Sequence, residues 1–142
     1  MLTDQEMLRY IYQGAEMGCN GINGILPYVA DRSLLGALET QRQSYQSLRH
    51  QAAAMLNQRG LEPQGIHTAA KLFSRVASEV RAVTDTSASH LAEMVIEGNT
   101  MGVTKMQKHL NDYHAGDAHV RALAEKQLKQ AQENIEQMKS FL

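Results

Sequence analysis

The side chains best suited to chemistry in this sequence lie in one short stretch: His109, Asp112, His114, Asp117 and His119. Imidazoles and carboxylates together suit a borderline divalent metal. Their spacing argues against a shared ion. His109 to His114 and His114 to His119 are both steps of five, whereas side chains on one helix face recur at three or four. A solvated turn with adventitious metal affinity is the expected reading, which leaves these five as weak candidate ligands. His50, His67 and His90 are isolated. Cys19 sits among apolar residues in a glycine-rich stretch, where burial is expected rather than nucleophilic reactivity. No Gly-x-Ser-x-Gly, phosphate loop or dinucleotide fingerprint occurs.

A second group is neutral. Gln41, Asn99, Gln127 and Asn134 fall on otherwise apolar stripes. A buried amide needs hydrogen-bond partners or costs roughly 1–3 kcal/mol, and such groups fix helix register, as a buried Asn does in coiled coils. The expected role is register rather than substrate contact. Gly14, Gly18, Gly98 and Gly102 fall near the middle of long helical patterns, where each costs about 1 kcal/mol relative to Ala. Close approach of two helices would compensate, with Gly18 and Gly102 at similar heights. The alternative is a central pocket for a small apolar ligand, lined by Met17, Met101 and Met106.

The elements that position these residues are helices. Thr3 and Glu6 have capping-box spacing, ahead of a stripe of Ile11, Ala15, Gly18, Ile22, Ile25 and Val29. Pro27 is placed to kink the last turn. Asp31 caps a second helix with a seam of Leu34, Leu38, Gln41, Tyr45, Leu48, Ala52 and Met55. That helix stops at Gly60, with Pro63 close behind. A third helix is expected over about 65–83, with Ile66, Ala69, Phe73, Val76, Val80 and Val83 on one face. It would be about 19 residues, or roughly 28 Å long. Ser87 or Thr86 caps the fourth, whose seam is Val95, Asn99, Gly102, Met106, His109 and Tyr113. Gly116-Asp117 turns into the fifth, with Val120, Ala124, Gln127, Ala131, Asn134, Met138 and Phe141.

The first and fourth of these patterns are similar, as are the second and fifth. Gln13-Gly14-Ala15-Glu16-Met17-Gly18 recurs as Glu97-Gly98-Asn99-Thr100-Met101-Gly102, an offset of 84 that also pairs Ile11 with Val95 and Leu26 with Leu110. After the turn the offset becomes 86 and pairs Asp31 with Asp117, Glu39 with Glu125, Gln41 with Gln127 and Leu56 with Leu142. The expected organisation is one all-α domain over 1–142: a hairpin at 4–59, a crossover helix at 65–83 and a duplicated hairpin at 87–141.

Composition narrows the function classes. The formal net charge is −1, from 14 basic and 15 acidic residues, so nothing electrostatic points to nucleic acid or an anionic membrane as partner. No apolar run approaches the roughly 20 residues of a membrane span. The acidic, polar N-terminus is unlike a signal peptide. A single cysteine cannot form an internal disulfide, and the expectation is a cytoplasmic protein. Met7, Met94, Tyr10 and Leu123 are expected on faces left uncovered, which favours a homo-oligomer, most simply a homodimer. Another protein is the other partner class.

Two hairpins joined by a long crossover, with approximate internal two-fold symmetry, resemble the ferritin-like superfamily. The chain looks most like small bacterial ferritin-like proteins and, more loosely, spore-coat F-type bundles, which share the run into a Gln58-Arg59-Gly60 type of helix end. The resemblance implies an antiparallel four-helix bundle. In the di-iron members it also implies a Glu from each of two helices and a Glu-x-x-His from each of the others. This sequence has no Glu-x-x-His or Asp-x-x-His. The nearest patterns are Glu39-x-x-Arg42, Glu125-x-x-Leu128 and Glu133-x-x-Glu136, and the carboxylates, Glu97 included, read as surface groups. No cofactor is expected; a divalent metal has no motif to support it. The expected function is therefore a non-catalytic structural or protein-interaction module. A metal-binding or redox protein with a non-standard site and a binder of a small apolar ligand are the alternatives.

Overall fold

The structure is a computed structural model that describes residues 1–63, 84–114 and 116–142. Four helices make up most of it: α1 (Asp4–Ile25), α2 (Arg32–Gln58), α3 (Ala88–Asn111) and α4 (Ala118–Lys139). There is no strand among the described residues. The expected crossover helix at 65–83 lies wholly outside the described residues.

Each helix starts where a side chain can satisfy its free N–H groups. The Thr3–Glu6 capping box is complete: the Glu6 N–H donates to Thr3 Oγ1 at 3.1 Å and the Thr3 N–H donates to Glu6 Oε2 at 2.9 Å. Asp31 accepts from the Leu34 N–H at 2.8 Å, Ser87 from His90 at 3.2 Å, and Asp117 from His119 and Val120 at 2.7 and 3.3 Å. Pro27 ends α1 rather than kinking it. It falls in a 3-10 turn, Leu26–Tyr28, because its ring nitrogen has no proton to continue the helical ladder. At the end of α2, Gly60 takes φ +72°. The Leu61 N–H then reaches the Leu56 carbonyl at 2.9 Å and the Gly60 N–H that of Asn57 at 3.0 Å. This is a Schellman closure, which a Cβ-bearing residue would strain.

One end of the bundle fixes the helix directions. Arg59, just past α2, lies 3.5 Å from Asp4 and 3.2 Å from Asp117. The Tyr113 hydroxyl, just past α3, donates to Asp4. The start of α1, the ends of α2 and α3 and the start of α4 therefore meet there. So α1 and α4 run one way, α2 and α3 the other. Consequently α2 ends and α3 begins at opposite ends of the bundle.

The hairpins α1–α2 and α3–α4 pack most extensively, and α1 also meets α3 and α4 while α2 meets α4. The core is apolar and continuous, with Met7, Leu8, Ile11, Leu34, Leu38, Leu48, Leu56, Leu91, Val120 and Met138 almost fully buried. Each such side chain contributes about 1.5–3 kcal/mol of burial. The buried positions repeat at the sequence offsets. Met7, Leu8, Ile11, Ala15 and Ile22 of α1 match buried Leu91, Ala92, Val95, Asn99 and Met106 of α3. Every buried residue of α4, from Val120 to Met138, has a buried counterpart 86 positions earlier in α2. The caps obey the same offsets, Thr3 with Ser87 and Asp31 with Asp117.

Two residues expected on uncovered faces are core residues instead. Met7 and Leu123 are buried, since both fall on the inward stripe one step from its centre, while Met94 is half-buried and only Tyr10 is exposed.

Candidate functional site: the polar centre of the bundle

Midway along the bundle, three helices each send one polar side chain inward. Tyr45 comes from α2, Asn99 from α3 and Asn134 from α4, and all are buried. The Tyr45 hydroxyl donates to Asn99 Oδ1 at 2.5 Å, and Asn134 Nδ2 donates to both Tyr45 Oη and Asn99 Oδ1 at 3.2 Å. The remaining groups are also satisfied. Asn99 Nδ2 donates to the Val95 carbonyl at 2.9 Å, and Gln130 Nε2 donates to Asn134 Oδ1 at 2.9 Å. Burial pushes the Tyr45 phenol up to about 12, so the whole layer is uncharged at neutral pH.

The fourth helix supplies room rather than a polar group. A Cβ at Gly18 of α1 would lie 2.6 Å from the Tyr45 ring, so the absent side chain is what admits the ring. Gly14 does the same for Gln127, whose Nε2 would stand 3.1 Å from a Cβ there. That Nε2 donates to the Ile11 carbonyl at 3.1 Å. Gln41 Nε2 donates to Gln137 Oε1 at 2.8 Å. The Oε1 atoms of both Gln41 and Gln127 are buried without a partner among the described residues.

The other residues expected at a helix contact or central pocket are elsewhere. Gly98, Met101 and Gly102 are exposed, and a Cβ on either glycine would meet nothing within 4 Å among the described residues. Gly18 and Gly102 therefore do not mark a shared close approach. Gly18 is packed by Tyr45, whereas the sequence match of Tyr45 is Ala131, and no atom of it lies within 4 Å of a Cβ at Gly102. Gln41, the match of Gln127, turns to Gln137 instead of toward Gly98. Met17 is half-buried and Met106 is core, so Met17, Met101 and Met106 do not line one cavity.

The turn residues do not converge either. His109 stacks on Tyr10, with ring centroids 3.9 Å apart and planes 8° from parallel, and partial burial holds its pKa below the ordinary value. Asp112 lies 3.6 Å from the Met1 ammonium. Asp117 is committed to capping α4 through Oδ1 and to Arg59 through Oδ2. His114 is exposed, and His119 borders a shallow cleft of about 300 Å³ with Met55, Gln58, Arg59 and Asp117. Among the described residues no three His, Cys, Asp or Glu side chains could hold one ion. The Cys19 thiol is buried, its pKa is raised mainly by that burial, and its Sγ lies 3.9 Å from the Arg42 carbonyl. A protonated, enclosed thiol is a poor nucleophile.

The central layer offers amide oxygens and a neutral phenol, each already bonded. A carboxylate-bridged metal pair needs anionic donors from all four helices, and these residues do not fit one. Tyr45 was legible in the sequence only as a seam position. The signal for its role was the pairing of a large ring on one helix with a costly glycine on its neighbour. No family model matches this sequence, and no curated protein or solved structure matches it significantly. No described helix is long and apolar enough to cross a membrane.

Proposed function

We propose that this chain is a non-catalytic, ferritin-like helical-bundle module with a structural or protein-interaction role, built from two copies of one hairpin. The observation that carries the reading is the closed, neutral layer of Tyr45, Asn99 and Asn134 at the centre of the bundle. In ferritin-like carboxylate proteins that region supplies the metal ligands. Here its polarity is spent on internal hydrogen bonds, which serve helix register.

The helix directions support the connectivity, since a bundle with its two middle helices parallel requires one long connection between them. The duplication is supported by caps and buried positions that recur at the same two offsets. A buried, unpaired Cys19 fits the reducing cytoplasm.

The test is elemental analysis of protein expressed and purified without added metal. The expected result is no transition metal near one equivalent per chain. A stoichiometric metal that is lost on Asn99→Leu or Asn134→Leu, with the fold retained by circular dichroism, would overturn the reading.

A further inference from the structure

We propose that the outward face of α3 docks antiparallel on α3 of a second copy of this chain, about a two-fold axis at Met101. This inference rests on the interaction-module reading and names its partner and surface.

Placing residues at about 100° per step, Met94, Glu97, Lys105 and Lys108 fall within about 40° of Met101. Met101 is 58% exposed, Glu97, Lys105 and Lys108 are exposed, and Met94 is half-buried. An exposed methionine at the middle of a long helix is the apolar centre of the patch. Around it the charges are ordered, acidic toward the helix start and basic toward its end.

That order is self-complementary. Glu97 and Lys105 each lie four residues from Met101, about 6 Å along the axis. A two-fold axis at Met101 therefore sets Glu97 opposite the partner's Lys105, and the reverse contact follows by symmetry. Met94 and Lys108 are each seven residues away, so the thioether meets the aliphatic stem of the partner's Lys108. No like charges of this set face each other. A parallel arrangement would oppose Glu97 to the partner's Glu97.

One further observation favours this helix over its neighbour. Glu97, Lys105 and Lys108 have no ion pair among the described residues, while α4 pairs Lys129 with Glu133 and Lys139 with Glu136 along its own surface.

The experiment is sedimentation equilibrium of the whole chain, with Glu97→Lys, Lys105→Glu, an equimolar mixture of the two, and the double variant. Both positions are exposed, and circular dichroism checks that each variant is folded. The parent should dimerise in the micromolar range and weaken with salt. Each single reversal replaces two attractions with two repulsions and should raise the dimer Kd by about tenfold or more. The mixture and the double variant restore opposite charges and should recover dimers, the mixture as heterodimers by native mass spectrometry. A parent that stays monomeric to hundreds of micromolar overturns the proposal. So does a dimer indifferent to the reversals, or one weakened by them without recovery in the mixture. A monomer leaves the non-catalytic reading intact, whereas bound stoichiometric metal overturns that reading without altering this result.

Discussion

The same substitution at two matched positions should have opposite effects: Gly18→Ala destabilises and Gly102→Ala stabilises. A Cβ on Gly18 would lie 2.6 Å from Cδ1 and Cε1 of Tyr45 and 2.7 Å from Cγ, against a comfortable carbon separation of about 3.5–4.0 Å. About 1 Å of relief is required. The ring cannot readily supply it, because its hydroxyl is held by Asn99 at 2.5 Å and Asn134 at 3.2 Å. Overpacking of this kind costs about 1–3 kcal/mol, and losing one of those bonds adds about 1 kcal/mol. Alanine's helix propensity returns about 1 kcal/mol. The net loss at Gly18 is then about 1–3 kcal/mol.

At Gly102 only the propensity remains, because nothing described lies within 4 Å, and the gain is up to about 1 kcal/mol. The two variants should differ by about 1–4 kcal/mol. Urea unfolding followed by far-UV circular dichroism measures this directly, provided the m-values match the parent's. If Gly18→Ala is as stable as the parent, the ring is not tightly seated and the account of the polar centre fails. If Gly102→Ala is destabilised by 1 kcal/mol or more, the α3 surface is covered by something the bundle contacts do not include.

Three further outcomes follow from the same geometry. Tyr45→Phe should cost only about 1 kcal/mol, because Asn134 and Asn99 still bond each other at 3.2 Å; in urea, a loss above 3 kcal/mol would mean the layer is not closed as described. The Tyr45 pKa is raised to about 12, so its share of stability is fully present below the unfolded value of about 10 and is lost as pH rises through 12. Tyr45→Phe should reduce that alkaline slope, and an unchanged slope would assign it elsewhere, with Tyr113, also raised to about 12, the next to test. Asp4 is held below the ordinary carboxylate range by the Tyr113 hydroxyl first, then by the Asp117 N–H and Arg59. Its contribution is therefore present above the unfolded pKa and lost as pH falls through the folded one. Asp4→Asn should flatten the acid limb of the stability profile, and an identical limb in both proteins would refute the assignment.

The helices were readable from sequence because their signals are local. Thr3, Asp31, Ser87 and Asp117 cap helices where their types and the following periodicity place them. Gly60 closes α2 through a positive φ that its identity anticipates. Buried Gln41, Asn99, Gln127 and Asn134 were legible as polar residues on apolar stripes. What periodicity could not supply is the identity of the neighbour across the interface. Gly18 and Gly102 occupy matched positions in sequence, but one faces a tyrosine and the other meets nothing within 4 Å among the described residues. Likewise, the hydrogen bonds of Tyr45 depend on a rotamer and on two other helices, neither of which is written in its own stripe.

The matched positions divide the buried polar groups into a symmetric pair and an asymmetric set. If the hairpins are copies, Gln41 and Gln127 are an inherited pair, and each retains a buried Oε1 without a partner among the described residues. The closed layer has no such twins. Tyr45 corresponds to Ala131, Asn99 to Ala15 and Asn134 to Leu48, so each of its members is polar in one copy and apolar in the other. A core of two identical hairpins would tolerate slipped or exchanged packing, because equivalent apolar surfaces are interchangeable. The Tyr45–Asn99–Asn134 set is satisfied in only one register, and any slip would bury an unpaired amide at roughly 1–3 kcal/mol. Asymmetric polarity thus gives a symmetric framework a single arrangement, the service a lone buried Asn performs in a coiled coil. The same register holds α3 with Met101 facing outward, where a second copy could meet it.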